Sequence, residues 1–469
     1  MADTKKYLQA LFDAKKVIIP ENRINLFEEF ASNEENDALI NRIIATQDML
    51  TDKWNIKSRL ADIQQQQVMI PNGTIGKPYI AVISKAKLGW DDMLHTELSG
   101  LEDTGLSYGP DTETISGTPV VSGEVKIIYK FKLAGQQEDA SLNEKIITLT
   151  INPDPKSLWK NKPGNKEDPY WKEENVAEAG VLGTKHIVVA SKRGRSHANV
   201  GSYRDDDYAY KYYEATGWGV VVVADGAGSA SLSRKGSQLA CASILKFFND
   251  YFSPAVVTDF DEVITAFKIT GGDENQKKLS RLVYDCLSKA AWGVHQELTT
   301  FAKDSECNLK DLHTTLIFTL FKKYDFGYAL LSFGVGDCPI ALINKELTEV
   351  TLLNWLDVGE YGGGTRFITM PEIFTSDKFA TRFKFKMADD FAYLMLMTDG
   401  IYDPKFVVEA NLEKTEKWLA FIEDLKGENE DGIKVEFVET NNDIAQQLSQ
   451  WMDFWSPGNH DDRTLAIVY

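Results

Sequence analysis

The stretch WGVVVVADGAGSA, residues 218–230, decides how the rest of the chain is interpreted. Its four consecutive valines predict a buried strand, because a strand covered on both faces accepts an unbroken β-branched run. The strand ends at Asp225, and the small residues after it leave the carboxylate uncovered and let the backbone approach a ligand closely. A lone Asp-Gly pair is more typical of an ordinary strand-to-helix turn. The recurrence of this pattern later in the chain favours a metal or phosphate site.

The composition bounds the class of protein. With 469 residues, 43% apolar content and a formal charge of −19, the chain is expected to form several folded domains and to lack the basic face that binds nucleic acid. Its four cysteines have no CxxC spacing, which indicates neither a zinc ribbon nor a disulfide framework and fits a reducing compartment. The sequence shows no signal peptide and no run of ~20 apolar residues, so we expect a cytoplasmic protein that does not enter a membrane.

The sequence of the first 182 residues indicates three structural regions. Residues 1–66 repeat apolar side chains at helical spacing, which indicates a small helical region. Residues 67–153 contain β-rich runs such as GEVKIIYKFKL and KIITLTINPD, which predict a β-sandwich. The phrase TISGTPVVSGEVKIIYKFK in this part resembles bacterial immunoglobulin-like modules, which bind or space and carry no chemistry. Residues 154–182 are dense in Pro, Lys, Asp and Gly and predict a linker or strap.

Residues 183–469 predict a larger α+β domain. Helices are expected over residues 231–252 and from 277 to about 303. The runs TTLIFTLF and YALLSFGV, joined by KKYDFG, predict a hairpin, so at least part of the sheet is antiparallel and a purely doubly wound sheet is excluded. Further strands are predicted at HIVVAS, GWGVVVVAD, PIALIN, FAYLMLMTD and TLAIVY.

Aspartates stand at the ends of several predicted strands. Asp225, Asp337 and Asp399 each follow a strand, and the pair Asp461 and Asp462 directly precedes TLAIVY. In an antiparallel sheet the start of one strand neighbours the end of another, so these carboxylates are expected to converge on one rim. Further upstream, residues 205–207 are three consecutive aspartates before an aromatic run.

A convergent set of carboxylates predicts bound cations. Like charges gathered this closely repel one another unless cations lie among them. Carboxylate and backbone oxygens, without Cys or paired His ligands, suit Mg²⁺ or Mn²⁺ better than zinc. Two such ions about 3.5–4 Å apart can bridge a hydroxide and direct it at a phosphorus atom. Asp225 is the natural bridging ligand.

Six segments of the chain are, in order, RDDDYAY, VVVADGAGS, LHTTLIFTLF, FGVGDCPIAL, MTDGIYD and HDDRTLAIVY. Together they resemble the metal-dependent serine/threonine phosphatases of the protein phosphatase 2C type. The resemblance covers nearly all of residues 183–469. It implies a four-layer α-β-β-α sandwich with a binuclear metal centre at one end, and hydrolysis of phosphoserine or phosphothreonine by metal-activated water.

The resemblance also implies metal ligands. Asp225 would bridge the two ions, and the carbonyl of Gly226 would bind the second. Asp399 of the TDG motif and Asp461 of DDRT would complete the first site. Asp337, in GDC where the family commonly has Gly-Asp-Ser, matches the aspartate associated with a third, weaker ion.

The acidic segment and the phosphate-binding arginine are less direct matches. The family's acidic pair falls on either the first two or the last two of residues 205–207. Asp206 belongs to both alternatives, so the resemblance implies that Asp206 binds metal and takes part in catalysis. The family's arginine usually precedes the acidic residue by four positions, where this chain has residues 201–203, Gly-Ser-Tyr. Arg204 and Arg195 are the candidate replacements for bidentate phosphate binding, with an ordinary surface arginine as the competing interpretation.

The chain also departs from the family at the general acid. Many members read Asp-Gly-His-Gly where this chain has Asp-Gly-Ala-Gly, and Ala227 cannot donate a proton. A general acid typically contributes about 10²–10⁴-fold to the rate. His197 and His460 are the candidates for this role by their proximity to the motifs, and a structural or surface role is the alternative for each.

Two classes of function follow. The leading hypothesis is a Mn²⁺- or Mg²⁺-dependent phosphatase acting on phosphorylated proteins, with the front half as a docking and spacing device. The alternative is a catalytically weak or inactive phosphatase-fold module that binds phosphoproteins or a partner kinase. A third interpretation assigns the main activity to the immunoglobulin-like region. The layout also resembles bacterial phosphatases encoded beside a protein kinase and a von Willebrand A domain protein, which implies these as partners.

Overall fold

The computed structural model describes residues 2–357 and 364–469 of the chain. The chain divides into two compact units, Met1–Leu158 and Trp159–Tyr469. No helix in the described ranges has the length and apolar character needed to span a membrane.

The first unit joins a helical part to a β part. Its strands form one sheet in the order β1-β7-β6-β3 and another in the order β2-β5-β4. All pairs are antiparallel except β1 with β7. The elements in chain order are α1 (Ala2–Ala14), α2 (Ile24–Ala31), α3 (Glu34–Gln65), β1 (Gly73–Thr74), β2 (Tyr79–Val82), α4 (Lys85–Leu88), β3 (Met93–Ser99), β4 (Leu106–Gly109), β5 (Thr114–Gly117), β6 (Gly123–Leu133) and β7 (Asn143–Asn152).

Both sheets of the first unit contribute to one apolar core. Ile115 of β5 and Phe131 of β6 lie in the same buried cluster, together with Trp90 and with Ile63 from the end of α3. The alternation of buried and exposed residues along β7 is that of a strand with one face on a core. The helical start and the β-rich continuation predicted from the sequence are therefore present, and the immunoglobulin-like assignment stays a prediction.

The second unit contains two antiparallel sheets and most of the long helices. Its elements are β8 (Asn175–Leu182), β9 (Lys185–Lys192), α5 (Arg195–Val200), β10 (Asp207–Tyr213), β11 (Trp218–Ala224), α6 (Ser233–Tyr251), α7 (Pro254–Thr270), α8 (Gly272–Asp304), β12 (Leu316–Tyr324), β13 (Gly327–Val335), β14 (Ile340–Asn344), β15 (Val350–Leu352), α9 (Glu372–Thr375), β16 (Phe383–Ala388), β17 (Phe391–Met397), α10 (Asp399–Phe406), α11 (Thr415–Leu425), α12 (Ile444–Trp451) and β18 (Arg463–Val468).

The two sheets of the second unit place the strand ends that carry aspartates. Within the described residues the first sheet has the order β10-β11-β12-β13-β16, and the second has the order β15-β14-β17-β18-β9-β8. The predicted hairpin is confirmed, since Leu316 pairs with Val335 and Tyr324 with Gly327. All seven residues of β11 are buried, as the valine run predicts.

Three apolar cores organise the second unit. One contains Val220 and Val222 of β11 together with residues of α6, α7 and α8. Another contains Val221 and Val223 of the same strand together with residues of β9, β14, β17 and β18. A third joins the second sheet to α10, α11 and α12. The valines of β11 thus alternate between two cores, which explains why the strand tolerates no polar residue.

The structure differs from the predicted linker over residues 154–182. Its last part, β8, pairs along its whole length with β9, from Asn175 opposite Lys192 to Leu182 opposite Lys185. This strand belongs to the second sheet, and the second unit begins at Trp159 rather than at residue 183. The strand was not predicted because its sequence has no clear apolar pattern: β8 is an edge strand, and most of its side chains are partly or fully exposed.

Candidate metal centre

Asp225 is fixed by the segment that leads into the neighbouring strand β12. Its backbone N–H donates to Thr315 Oγ1 at 2.9 Å. Its carbonyl accepts from Thr314 Oγ1 at 2.8 Å and from the N–H of Thr315 at 2.8 Å. Both threonines belong to the predicted strand run TTLIFTLF; in the structure they directly precede β12 and hold the backbone of Asp225.

The structure brings Asp225 together with the other strand-end aspartates. Burial raises the pKa of Asp225 well above its usual value, and the charges of Asp399, Asp206, Asp461 and Asp337 raise it further. Burial and the charges of Asp461 and Asp337 raise the pKa of Asp399 to about 7, against a hydrogen bond from Asp225 that lowers it. The carboxylates predicted from separate motifs therefore act on one another across a single site.

Asp206 is the most deeply buried member of this acidic cluster. Its Oδ2 atom accepts hydrogen bonds from Thr398 Oγ1 and Thr464 Oγ1, each at 2.8 Å. Thr398 precedes Asp399, and Thr464 lies three residues after Asp461. Asp206 thus ties together the two motifs that carry these carboxylates. Burial and the charge of Asp462 raise the pKa of Asp206 well above its usual value.

Arg204 lies behind the acidic segment. Its Nη1 atom donates to Ser191 Oγ at 2.6 Å and to the carbonyl of Asp206 at 2.7 Å, and its Nε donates to the carbonyl of Glu173 at 3.1 Å. The side chain is buried. In this structure the Arg204 guanidinium is therefore occupied in holding the backbone of Asp206, an arrangement that differs from the phosphate-binding role expected from the sequence.

Lys172 acts beside Arg204, and sequence reasoning did not single it out. Its Nζ donates to the carbonyl of Asp206 at 2.6 Å and to Asp207 Oδ2 at 3.0 Å. Burial lowers the pKa of Lys172, while the charge of Asp207 opposes this shift. A lysine in the segment predicted as a linker thus holds the backbone of Asp206 and pairs with the carboxylate of Asp207.

Arg195, the other candidate for phosphate binding, is also engaged by the protein. Its Nη1 donates to the carbonyl of Phe454 at 3.2 Å and its Nη2 to that of Asp453 at 2.8 Å. The guanidinium carbon also lies 5.3 Å from the centre of the Trp455 ring. These contacts tie the start of α5 to the segment that precedes the DDRT motif.

His197 is held between two carboxylates beside the cluster. Its Nδ1 lies 3.0 Å from Asp462 Oδ1, and its Nε2 lies 3.7 Å from Asp205 Oδ2. Burial lowers the pKa of His197, but the hydrogen bond to Asp462 and the charges of Asp462, Asp205 and Asp461 outweigh burial and raise the pKa to about 9. The imidazole is therefore protonated at neutral pH and donates to Asp462.

His460 occupies a different environment. Its ring lies 4.2 Å from that of Trp159 and 5.1 Å from that of Trp455, measured between ring centres. Burial and the charges of Arg195 and Arg463 lower the pKa of His460. The ring is thus neutral at pH 7, which makes His460 a poorer proton donor than His197.

The glycines of the cluster permit close approach of backbone segments. A Cβ atom at Gly226 would lie 2.6 Å from the carbonyl oxygen of Asp205, and one at Gly400 would lie 1.9 Å from that of Asp462. Gly226 also forms an isolated antiparallel bridge with Thr314. No side chain fits at either position, and the acidic motifs can approach one another only because both residues are glycine.

Three further residues belong to the site and were not assigned roles from the sequence. Asp462 accepts from the backbone N–H groups of Gly194 and Asp205 and binds His197. Asp403, one turn after Asp399 on α10, has its pKa raised by burial and by the charge of Asp337. The thiol of Cys338 lies close to the Asp225 and Asp337 carboxylates. The spacing of Asp399 and Asp403 on one helix was the available signal for Asp403.

The donor set fits divalent cations that prefer oxygen ligands. The Asp225 and Asp337 carboxylates lie within 4.8 Å of each other beside the Cys338 thiol, and the Asp461 and Asp462 carboxylates lie equally close beside the protonated His197. The pKa values of Asp206, Asp225, Asp337, Asp399 and Asp461 are all raised. Carboxylates held this close are stabilised in their charged form by a cation, and Mg²⁺ or Mn²⁺ matches their oxygen atoms.

Several solved structures are similar to this chain at low sequence identity. The serine/threonine phosphatase Stp1 from Staphylococcus aureus is 13% identical, with 66% of this chain and 96% of that chain covered and a TM-score of 0.33. The catalytic domain of the phosphatase PstP in complex with two manganese ions is 16% identical, with 63% and 97% covered and a TM-score of 0.35. RsbX in complex with magnesium is 13% identical, with 62% and 98% covered and a TM-score of 0.32. Scores at this level do not establish a common fold.

The family assignment rests on the sequence profile. No curated protein matches the chain. The profile of the family described as protein phosphatase 2C matches residues 193–453, more than half of the chain. The match includes Asp206, Asp225, Asp337 and Asp399, and Asp461 and the strand β18 that follows it lie just beyond it. The chain therefore belongs to the protein phosphatase 2C family of protein serine/threonine phosphatases.

Proposed function

We propose that the second unit hydrolyses phosphoserine and phosphothreonine on proteins with two Mn²⁺ or Mg²⁺ ions held in the acidic cluster. The observation that carries this proposal is the gathering of strand-end carboxylates around Asp225: a ligand atom of Asp337 lies within 4.8 Å of it, and the charges of Asp399, Asp206 and Asp461 act on it. A cluster of buried negative charge costs folding free energy, and a divalent cation offsets that cost. The retention of this cluster favours an enzyme over a module that only binds partners.

The proposed metal ligands are those that the sequence suggested, except that Asp206 is assigned a supporting role in place of direct metal binding. Asp225 would bridge the two ions, with the Gly226 carbonyl on one side and with Asp399 and Asp461 on the other. Asp337 would hold a third, weaker ion. Asp206 would support the site through its hydrogen bonds to Thr398 and Thr464. When bound, the ions would lower the pKa of a water molecule and neutralise phosphate charge.

We propose His197 as the proton donor to the leaving alkoxide, in place of the histidine that Ala227 lacks. Support comes from its contact with Asp462 at 3.0 Å and from a pKa raised to about 9, which keeps a proton on the ring at neutral pH. The Asp462 carboxylate fixes the orientation of the imidazole, while backbone N–H groups of Gly194 and Asp205 fix Asp462.

A second function also has a specific observation in its favour. Arg204 and Arg195, the two candidates for phosphate binding, both donate to protein carbonyl groups. Weak phosphate binding together with Ala227 favours a module of low catalytic activity that binds phosphoproteins or a partner kinase. The two functions make opposite predictions for turnover.

The test is hydrolysis of a phosphothreonine peptide and of p-nitrophenyl phosphate with Mn²⁺, Mg²⁺ or EDTA. The wild type is compared with Asp225→Ala and Asp399→Ala, and with Asp389→Ala as a matched control, because Asp389 is an exposed aspartate. We expect metal-dependent turnover that both cluster substitutions abolish and that the control retains. Tight phosphopeptide binding without turnover would favour the binding module.

We also propose an architecture for the whole chain. The three apolar cores of the second unit support an α-β-β-α sandwich over residues 183–469, extended at its start by β8. The shared core of the two sheets in the first unit supports a β-sandwich of the immunoglobulin-like kind over residues 67–153. In this proposal the first unit docks partners, with a serine/threonine kinase and a von Willebrand A domain protein as candidates from the resemblance.

A further inference from the structure

The long helix α3 carries an apolar stripe that its own unit leaves uncovered. Leu39, Ile43, Leu50 and Trp54 have exposed fractions of 55%, 40%, 63% and 67%. At 3.6 residues per turn these four side chains fall within about 60° around the helix axis. Scattered exposed apolar residues are common, but four on one face of a single helix mark an interaction surface.

The other faces of α3 are already used within the first unit. In the N-terminal half of the helix, Ile40 packs with Leu8, Phe27 and Ala31 of α1 and α2. In the C-terminal half, Ile63 is buried in the core of the two sheets. The helix is therefore held in place by its buried faces, and the exposed stripe lies on a helix that is packed against the rest of the first unit.

The spacing of the stripe is symmetric. Leu39 and Trp54 lie equally far from a midpoint between residues 46 and 47, and so do Ile43 and Leu50. When two copies of this helix pair in antiparallel orientation about that midpoint, Leu39 meets Trp54 and Ile43 meets Leu50. A two-fold axis requires such self-complementarity, because the same patch must serve on both subunits.

The charges along α3 complement one another in the same orientation. The first turn of the helix carries three acidic residues, including Glu35, and the C-terminal half carries Lys53 and Lys57. Among the ion pairs of the described residues, neither Glu35 nor Lys57 takes part, and both side chains are exposed. In an antiparallel pair the acidic end of each helix lies beside the lysines of the other, whereas a parallel pair would place like charges together.

We propose that the chain forms a symmetric dimer through the stripe of Leu39, Ile43, Leu50 and Trp54, with the two α3 helices antiparallel. From Leu39 to Lys57 the contact covers about 27 Å of helix axis. A single helix pair of this length buries less than the ~800 Å² per partner of a standard interface. The dimer is therefore weak, and the fraction of chains in dimers changes over the concentrations used in solution measurements.

The experiment measures the mass of the full chain in solution by sedimentation or light scattering over a range of concentrations. The expected result is a rise from 52.7 kDa to twice that mass. Leu50→Glu should abolish the rise. Met49→Glu is the matched control, because Met49 is 60% exposed on the same helix but points away from the stripe. The two variants place a glutamate at adjacent positions of the same helix. A loss of dimer caused only by a less stable helix would therefore be seen in both variants.

A charge exchange tests the orientation. Glu35→Lys and Lys57→Glu should each weaken the dimer about threefold or more, and the double variant should restore it, because each exchange alone places like charges together in an antiparallel pair. A parallel dimer would not be weakened by either exchange. A monomer at all concentrations, a dimer unaffected by Leu50→Glu, or a dimer insensitive to both charge exchanges would each overturn the proposal.

Discussion

At the scale of single residues, the position of His197 compensates for Ala227. We expect His197→Gln to lower kcat on a phosphothreonine peptide by about 10²-fold, as for loss of a general acid. Turnover of p-nitrophenyl phosphate should fall only a few fold, since its leaving group needs no proton. Steady-state kinetics on both substrates make the comparison, with His460→Gln as the control. An equal loss on both substrates would assign His197 a structural role.

The pKa of Asp399, raised to about 7, predicts how the stability of the metal-free protein changes with pH. The usual value for an aspartate is about 4, so the metal-free folded protein holds this proton more tightly than the unfolded chain does. That contribution to stability is fully present below about pH 4 and is lost as the pH rises through 7. In EDTA, the wild type should therefore lose more thermal stability than Asp399→Asn does between pH 5.5 and 7.5.

Added Mn²⁺ or Mg²⁺ supplies the control for this prediction. Because cations bind the ionised carboxylates, they should raise the melting temperature of the wild type most at pH 7.5. Asp399→Asn should show a smaller increase. A wild type and a variant with the same pH dependence in EDTA would show that Asp399 titrates normally in the folded protein.

At the scale of elements, the approach of α10 to the DDRT segment depends on Gly400. The Cβ of an alanine there would lie 1.9 Å from the carbonyl of Asp462, so α10 or the DDRT segment must move. We expect Gly400→Ala to lower phosphatase activity more than tenfold and to lower the melting temperature. Gly293→Ala in α8 is the matched control, because its Cβ would lie 3.9 Å from Phe247, and helix propensity favours alanine by ~0.5–1 kcal/mol. Full activity of Gly400→Ala would contradict this account.

At the scale of the whole molecule, the boundary of the second unit is testable. The sequence indicated residue 183, but β8 and Lys172 precede it, and Lys172 binds the carbonyl of Asp206 and the carboxylate of Asp207. We expect a fragment of residues 159–469 to be soluble and to keep metal-dependent activity. A fragment of residues 183–469 should lose activity, because it lacks Lys172, the nearer of the two cations beside Asp207, and keeps only the Arg204 contact at 3.9 Å.

Two measurements check this prediction. Phosphatase assays and thermal unfolding of both fragments separate loss of activity from loss of folding. Within the longer fragment, Lys172→Met should reproduce part of the defect, and Lys166→Met, at an exposed lysine, should not. If the shorter fragment were as active as the longer one, the segment would be a dispensable linker, as its composition suggested.

The sequence by itself determined the central strands of the second unit and the chemistry of the candidate site. Local periodicity predicted the valine strand and the hairpin, since alternation and β-branched runs reflect only which faces of a strand are buried. The acidic turns after Asp225, Asp337 and Asp399 predicted oxygen ligands for a divalent cation, because ligand chemistry depends on residue type alone. The family resemblance rested on the order of these same motifs, and the profile match establishes it.

Only the tertiary structure decided which side chains support that site. Lys172 and Arg204 both reach the carbonyl of Asp206, and Asp462 orients His197, although Asp462 lies 265 residues away. Such contacts depend on how the two sheets and the preceding segment pack, and no local pattern encodes them. The edge strand β8 was missed for the same reason. Few of its side chains are buried, so its sequence lacks the apolar pattern of a strand, and its conformation depends on the hydrogen bonds to β9 in the folded protein.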